Sequence, residues 1–291
     1  MARKTKVPSP ATLKLGDSVI YEGDALQTLQ RLPSNSIQCV ITSPPYWGLR
    51  DYGYDKQIGL EPTMAQFINH LVAIFSELKR VLSEDGTLWL NIGDGYTSGN
   101  RGYRASDKKN PARQMTVRPD TPEGLKPKDL LGLPWRLALA LQDDGWYLRT
   151  DVIWNKPNAM PESVKDRPTR SHEYLFMFTK SERYYYDQEA VKEKGFNGSM
   201  RNRRSVWDVK TQPFMGAHFA TFPTALVEPC VRASSRNGDY VLDPFFGSGT
   251  VGVVAESLGR RYVGIELNPE YVDLAASRLG VIQSNVVKVA V

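Results

Sequence analysis

Metal-binding residues are scarce in this chain. It has three histidines and two cysteines in 291 residues, and no two of them stand at ligand spacing. That excludes the common structural zinc motifs. No apolar run approaches 18 residues, so a membrane-spanning helix is not expected. The opening "MARKTKVPSP" is basic but lacks an apolar core and a small-residue cleavage site. It reads as a flexible basic tail over residues 1–15, not as a secretory leader. There is no internal repeat or low-complexity tract. Cys39 and Cys230 both sit in apolar contexts, "IQCVI" and "VEPCV". They are expected to be buried free thiols of a reducing cytoplasm.

Acidic residues are sparse in two places, and there the charge is informative. The formal net charge is +5. Residues 96–128 hold eight Lys/Arg, among them Lys108, Lys109 and Arg113, against three acids. Residues 190–210 hold six, including Arg201, Arg203 and Arg204, against two. The rest of the chain is therefore net acidic. Both basic stretches are rich in Gly, Asn and Ser and read as mobile arms. Alone, either suits a solvated loop as well as a polyanion-binding surface.

The length suits one large α/β domain spanning residues 16–291. Strand patterns at 18–22, 36–43, 87–94, 147–156, 173–181, 239–243 and 261–267 alternate with helical ones. The clearest helix is 64–82, with apolar residues at 67, 68, 71, 74, 75 and 78 and a stop at "SEDG". Further helices are expected at 133–146, 222–235, 249–259 and 269–279. This alternation predicts a doubly wound, mostly parallel sheet. Such sheets bind ligands beyond the carboxyl ends of their strands.

Two strand ends stand out. In "VLDPFFGSGTVGVVAESLGRRYVGIELNPEY" a strand ends at Asp243 and a tight turn with Gly247 and Gly249 follows. A helix then starts near Thr250, and the next strand ends at Glu266. Glycines allow close backbone approach, the helix start offers unpaired N–H groups, and a strand-end carboxylate can bind both hydroxyls of a ribose. This reads as a nucleoside-cofactor site. The spacing differs from the G-x-G-x-x-G dinucleotide fingerprint, which argues against NAD. The second strand end is "ITSPPYWGLRDYG", residues 41–53, where two prolines stop a buried strand and an aromatic, polar loop follows.

Together, "TSPPY" and "DPFFGSGT" resemble the β-group DNA amino-methyltransferases, which methylate the exocyclic amine of cytosine or adenine. "GDAL" (23–26) resembles their third motif, "TSPPYWGLRDYG" the catalytic fourth and "GTLWLNIGD" the sixth. "DVIWNKPNAMPESVKDRPTRSHEYLFMFTKS" resembles the eighth, "HFATFPTALVEPCV" (218–231) the tenth and "VLDPFFGSGT" the first. The resemblance implies a seven-stranded Rossmann-like methyltransferase sheet, circularly permuted so that the catalytic motif precedes the cofactor motif. It implies S-adenosylmethionine as cofactor, no metal, and double-stranded DNA as partner. The target-recognition segment would fall at 182–216. The resemblance also suits a cytoplasmic protein of bacterial, archaeal or phage origin, monomeric or dimeric, with a cognate restriction endonuclease left open.

Residue by residue, the resemblance assigns catalysis to Ser43, Pro44, Pro45 and Tyr46. Cofactor contacts fall on Asp24, Ala25, His218, Thr221, Phe222, Asp243, Pro244, Phe245, Gly247, Gly249, Thr250, Glu266 and Asn268. Asp24 serves equally well as a helix N-cap, and Phe222 and Thr221 as core and cap. The charge and position of the basic arms, in this setting, place DNA contacts on Arg201, Arg203, Arg204, Lys108, Lys109 and Arg113. Asn91 and Asp94 end a strand that faces the base, and Trp154 is core or pocket support.

An aromatic amine is a poor nucleophile, because its lone pair is delocalised into the ring. Pro44 has no N–H and presents only a rigid carbonyl acceptor; Ser43 Oγ adds a second. Tyr46 offers a stacking face for a base that must first leave the duplex. Within the family Ser before Pro-Pro is typical of cytosine enzymes and Asp of most adenine enzymes. Ser43 thus favours cytosine N4, with adenine N6 the alternative. A ring-carbon methyltransferase would need a thiolate after this strand, and neither cysteine is there. RNA or protein methyltransferases of the same fold, and an idle DNA-binding module, are weaker readings.

Overall fold

The computed structural model describes residues 13, 17–54, 57–97, 120–212, 222–280 and 285–289. In chain order the elements are β1 (Val19–Glu22), α1 (Ala25–Leu29), β2 (Ile37–Thr42), α2 (Met64–Val81) and β3 (Leu82–Ile92). Then come α3 (Leu133–Asp143), β4 (Tyr147–Asn155), β5 (His172–Thr179), and the short β6 (Glu193–Lys194), β7 (Met200–Arg201) and β8 (Val206–Asp208). The last are α4 (Thr224–Ser234), β9 (Tyr240–Asp243), α5 (Thr250–Ser257), β10 (Arg261–Glu266), α6 (Pro269–Leu279) and β11 (Val286–Lys288).

The main sheet has the order β11-β1-β10-β9-β2-β3-β5-β4-β8. β5 alone of these nine runs against its neighbours. Every residue of β2 is buried, as a central parallel strand covered on both faces requires. Alternate side chains sort into two cores. Val40, Leu88, Leu90 and Phe176 pack under α1, α2 and α3. Cys39, Ile41, Trp89 and Trp154 pack under α4, α5 and α6. Helix α2 forms because Phe67, Leu71, Ile74, Phe75 and Leu78 make one buried stripe. Thr63 and Gln66 close its start with a capping box.

The sheet corrects the expected count of seven strands. The extra strands, β8 and β11, lie at the two edges and span three residues each. β8 sits inside the basic stretch read as a mobile arm. It pairs in parallel with β4, and Trp207 and Val209 are buried against the core. The helix 64–82 stops at Val81, and β3 starts directly at Leu82, earlier than the apolar pattern from 87 suggested. Its pairing with β2 shifts register between Ile37 and Cys39, which accommodates the "SEDG" residues. Cys39 and Cys230 are free and buried, and burial pushes the Cys39 thiol up to about 12.

Candidate active site

The chain leaves β2 through α2 to β3 on one side, and β9 through α5 to β10 on the other. The two crossovers lie on opposite faces of the sheet. A crevice opens between strands where the winding diverges in this way. Backbone pairing between β2 and β9 is limited to Cys39–Val241 and Val40–Leu242. Beyond it, Thr42 Oγ1 donates to Asp243 Oδ1 at 2.7 Å and ties the two strand ends. Above this tie lies a cavity of about 320 Å³.

One end of the cavity is built by β9, β10 and their turns. Asp243, Pro244, Phe245, Gly247, Thr250 and Glu266 line it. Asp243 is buried, and desolvation raises its pKa to about 7 despite the bonds from Thr42 and the Phe245 N–H. Glu266 Oε2 accepts the Gly247 N–H at 2.8 Å, and Oε1 accepts the Asn268 N–H at 2.9 Å. Burial raises the Glu266 pKa, while these bonds hold it down. Each carboxylate oxygen keeps a further lone pair for a ligand. Asp24, Ala25, Phe222 and Asn268 also line the cavity. Asp24 also caps α1, its Oδ1 accepting the Gln27 N–H at 2.9 Å. Gly249 is the exception. It stands off the cavity wall at φ +76°, and a Cβ there would lie 3.1 Å from Ala275 Cβ. Its glycine is explained by the helix turn and the close approach of α6.

The other end is built by the carboxyl end of β2. Ser43, Pro44, Pro45 and Tyr46 all line the cavity. The Tyr46 hydroxyl donates to Glu173 Oε2 at 2.7 Å. Burial, followed by the Glu173 charge, raises the Tyr46 pKa well above its ordinary value. Gly93 makes room for the ring, since a Cβ there would meet Tyr46 Cε2 at 2.8 Å. Asn91 faces the cavity and donates to Glu173 Oε2 at 3.2 Å and to the Tyr174 carbonyl at 3.1 Å. Asp94 does not line it. Its Oδ1 accepts the Gly95 and Leu133 N–H groups and anchors the start of α3. Trp154 is both core and wall, 3% exposed, with Nε1 donating to the Val209 carbonyl at 2.8 Å.

The loop after Tyr46 joins the two ends. Trp47 turns inward and donates to the Glu61 carbonyl at 2.8 Å, while Glu61 also pairs with His70 of α2. Tyr52 packs edge-on against Tyr271, and the Tyr54 hydroxyl donates to Asn268 Oδ1 at 3.0 Å. Tyr52, Tyr54, Tyr271, Lys156 and Glu173 also line the cavity; all but Tyr54 lie inside the quoted motif stretches, but none was singled out there as a site residue. Lys156 and Glu173 could have been found from strand pairing. Trp154 faces Glu173 in the β4–β5 register, so 156 and 173 meet at one end of that pair.

The proposed DNA contacts are mixed. Arg201 pairs with Glu193 across the β6–β7 hairpin at 2.9 Å. Arg203 lies over the Trp207 ring, 4.4 Å from its centroid. Arg204 is exposed. Lys108, Lys109, Arg113, His218 and Thr221 lie outside the described residues. Among the described residues no His/Cys/Asp/Glu cluster could hold a metal ion, and no helix is long and apolar enough to cross a membrane.

A family model described as DNA methylase, of the N6/N4 methyltransferase type, matches residues 37–277. The chain is 72% identical to the Type II methyltransferase M.Cfr9I of Citrobacter freundii, covering 96% of this chain and 93% of that protein. It is 70% identical to the Type II methyltransferase M.XycI of Xanthomonas campestris pv. cyanopsidis, covering 98% and 95%. Among solved structures it resembles the PvuII DNA methyltransferase (cytosine-N4-specific), with a TM-score of 0.68 and 23% identity over 92% of this chain and 87% of that one. This last likeness is one of fold. The family match runs from β2 into α6 and takes in both strand ends that line the cavity, and the chain belongs to the N6/N4 DNA methylase family.

Proposed function

We propose that the protein transfers a methyl group from S-adenosylmethionine to the exocyclic N4 of a cytosine turned out of duplex DNA. The observation that carries this reading is one cavity lined both by Ser43-Pro44-Pro45-Tyr46 and by Asp243, Gly247 and Glu266. The relatives named as Type II methyltransferases support DNA as substrate and a restriction–modification setting. Ser43 before the proline pair favours cytosine. The catalytic strand precedes the cofactor strand in the chain, which supports the permuted arrangement.

The residues present fit the cofactor. Glu266 keeps acceptor capacity at the end of β10, where a ribose would sit, and Asp24 and Phe245 line the same end. When bound, S-adenosylmethionine supplies an electrophilic methyl group on a sulfonium. The chain's own part is placement. The Pro44 carbonyl and Ser43 Oγ accept the amine N–H groups and favour the tetrahedral nitrogen over the conjugated one. The ring of Tyr46, fixed through Glu173, holds the plane of the base. Positioning of this kind, without a covalent enzyme–base bond, accounts for most of the rate.

The test is labelled-methyl transfer to unmethylated duplex DNA by wild type and Ser43→Ala. We expect transfer to fall roughly 10–100-fold in the variant, with cofactor affinity by calorimetry unchanged. Equal transfer by both proteins would remove Ser43 from the mechanism.

A further inference from the structure

The pocket described so far offers acceptors to the amine of the base and a ring to its face. A cytosine also carries an acceptor edge, ring N3 and carbonyl O2. The Pro44 carbonyl can only accept, and the Ser43 hydroxyl has a single proton to give, so at least one of the two edge acceptors is left without a donor from that wall. Burying such acceptors unpaired is costly.

A donor stands on the same wall. Lys156, just beyond the end of β4, lines the cavity with Ser43, Pro44 and Tyr46. Its ammonium is ion-paired with Glu173 Oε1 and lies 4.1 Å from the centroid of the Trp154 ring. Only 17% of the Lys156 side chain is exposed, and 18% of Glu173. A charge pair this sheltered persists when its remaining polar capacity is used. That holds for Glu173, whose Oε2 accepts from Tyr46 and Asn91. An ammonium has three N–H donors, and its pairing with Glu173 leaves capacity for a ligand.

We propose that Lys156 donates to the N3/O2 edge of the target cytosine, and that Glu173 is the positioning residue for both Lys156 and Tyr46. This rests on the cytosine-N4 reading above. It makes the β4–β5 end a base-recognition wall, opposite in hydrogen-bonding sense to the Ser43-Pro44 wall. Glu173 also orients the stacking ring and the edge donor from one carboxylate, so ring plane and edge contact are set together.

The experiment compares wild type, Lys156→Met, Lys156→Arg and Glu173→Gln on duplexes carrying one of three target bases. These are cytosine, 3-deazacytosine, which lacks the N3 acceptor, and a 2-aminopyridine C-nucleoside, which lacks O2. Duplex affinity in the presence of S-adenosylhomocysteine is the readout independent of turnover. Cofactor affinity and thermal melting establish that each variant is folded. On cytosine we expect Lys156→Met to lose roughly 10–100-fold in kcat/KM, and Lys156→Arg to recover part of it. On the analogue lacking the contacted acceptor, wild type and Lys156→Met should converge. In the double variant with Lys156→Met, the loss from Glu173→Gln should shrink to the part that acts through Tyr46. An equal fold-loss for Lys156→Met on all three bases would overturn the proposal. If wild type yields N4-methylcytosine and that equal loss appears, only this inference fails. If wild type yields no N4-methylcytosine, the underlying reading fails with it.

Discussion

Asp243 shows how a single carboxylate can carry both the site and a stability cost. It is buried, and desolvation lifts its pKa from 3.8 to about 7. Its folded-state value is above its unfolded value, so the native state favours the protonated form. The stabilisation this gives is full below about pH 4 and is lost as pH rises through 7. Asp243→Asn keeps an acceptor for Thr42 and removes the buried charge. The variant should therefore melt higher than wild type at pH 8, with the gap closing toward pH 4. An order-of-magnitude ceiling is about 4 kcal/mol, from 1.36 kcal/mol per pKa unit. Melting curves across that range, without cofactor, check it. A gap that grows toward low pH would contradict the burial argument. At this scale much of the site was legible in the sequence. The strand-end motif at 241–271 carries Asp243, Pro244, Phe245, Gly247, Thr250 and Glu266 of the cavity wall, because glycine turns and strand-end acids are local patterns. Glu173 and Lys156 were not, because their meaning depends on a pairing between distant strands.

The element that hid them is β5. Reversed in an otherwise parallel sheet, it brings its amino end, not its carboxyl end, to the site. The residues to search there begin a strand, whereas on the parallel strands they end one. β8 was missed for a different reason. Three residues in a run of arginines give little periodicity, although Val206, Trp207, Asp208 and Val209 do alternate out and in. Trp207 is 6% exposed and packs 6.1 Å from Trp89, centroid to centroid, so β8 is a structural edge and not an arm. Trp207→Ala should cost roughly 3–5 kcal/mol of stability, the range for truncating a buried aromatic. Denaturant unfolding measures this directly. A loss below ~1 kcal/mol, the level of an ordinary surface change, would mean that the edge is not packed as described.

For the whole molecule, charge separates body from periphery. The chain is net +5, but the excess lies in residues 96–128 and 190–210 while the remainder is acidic. Such an arrangement suits phosphate neutralisation around a site that itself needs carboxylates. Part of the second basic segment is spent internally, since Arg201 pairs with Glu193 and Arg203 covers Trp207. Arg204 is the exposed member. If it meets a phosphate, Arg204→Ala should weaken duplex binding about equally across sequences and lower the salt slope of log K by about 1. An unchanged slope in a fluorescence titration from low to moderate salt would remove Arg204 from the interface. The doubly wound architecture itself was legible from the alternation of elements. Its edges were not, because short edge strands are fixed by pairing partners and not by their own sequence.

The central claim is that one cavity brings a sulfonium cofactor and an extrahelical cytosine amine together at Ser43-Pro44. The most direct measurement is the identity of the product. Unmethylated duplex DNA is incubated with the protein and S-adenosylmethionine, digested to nucleosides and analysed by mass spectrometry. The account predicts N4-methylcytosine. N6-methyladenine would contradict the assignment of the base from Ser43, and DNA without any methylated base would contradict the claim itself.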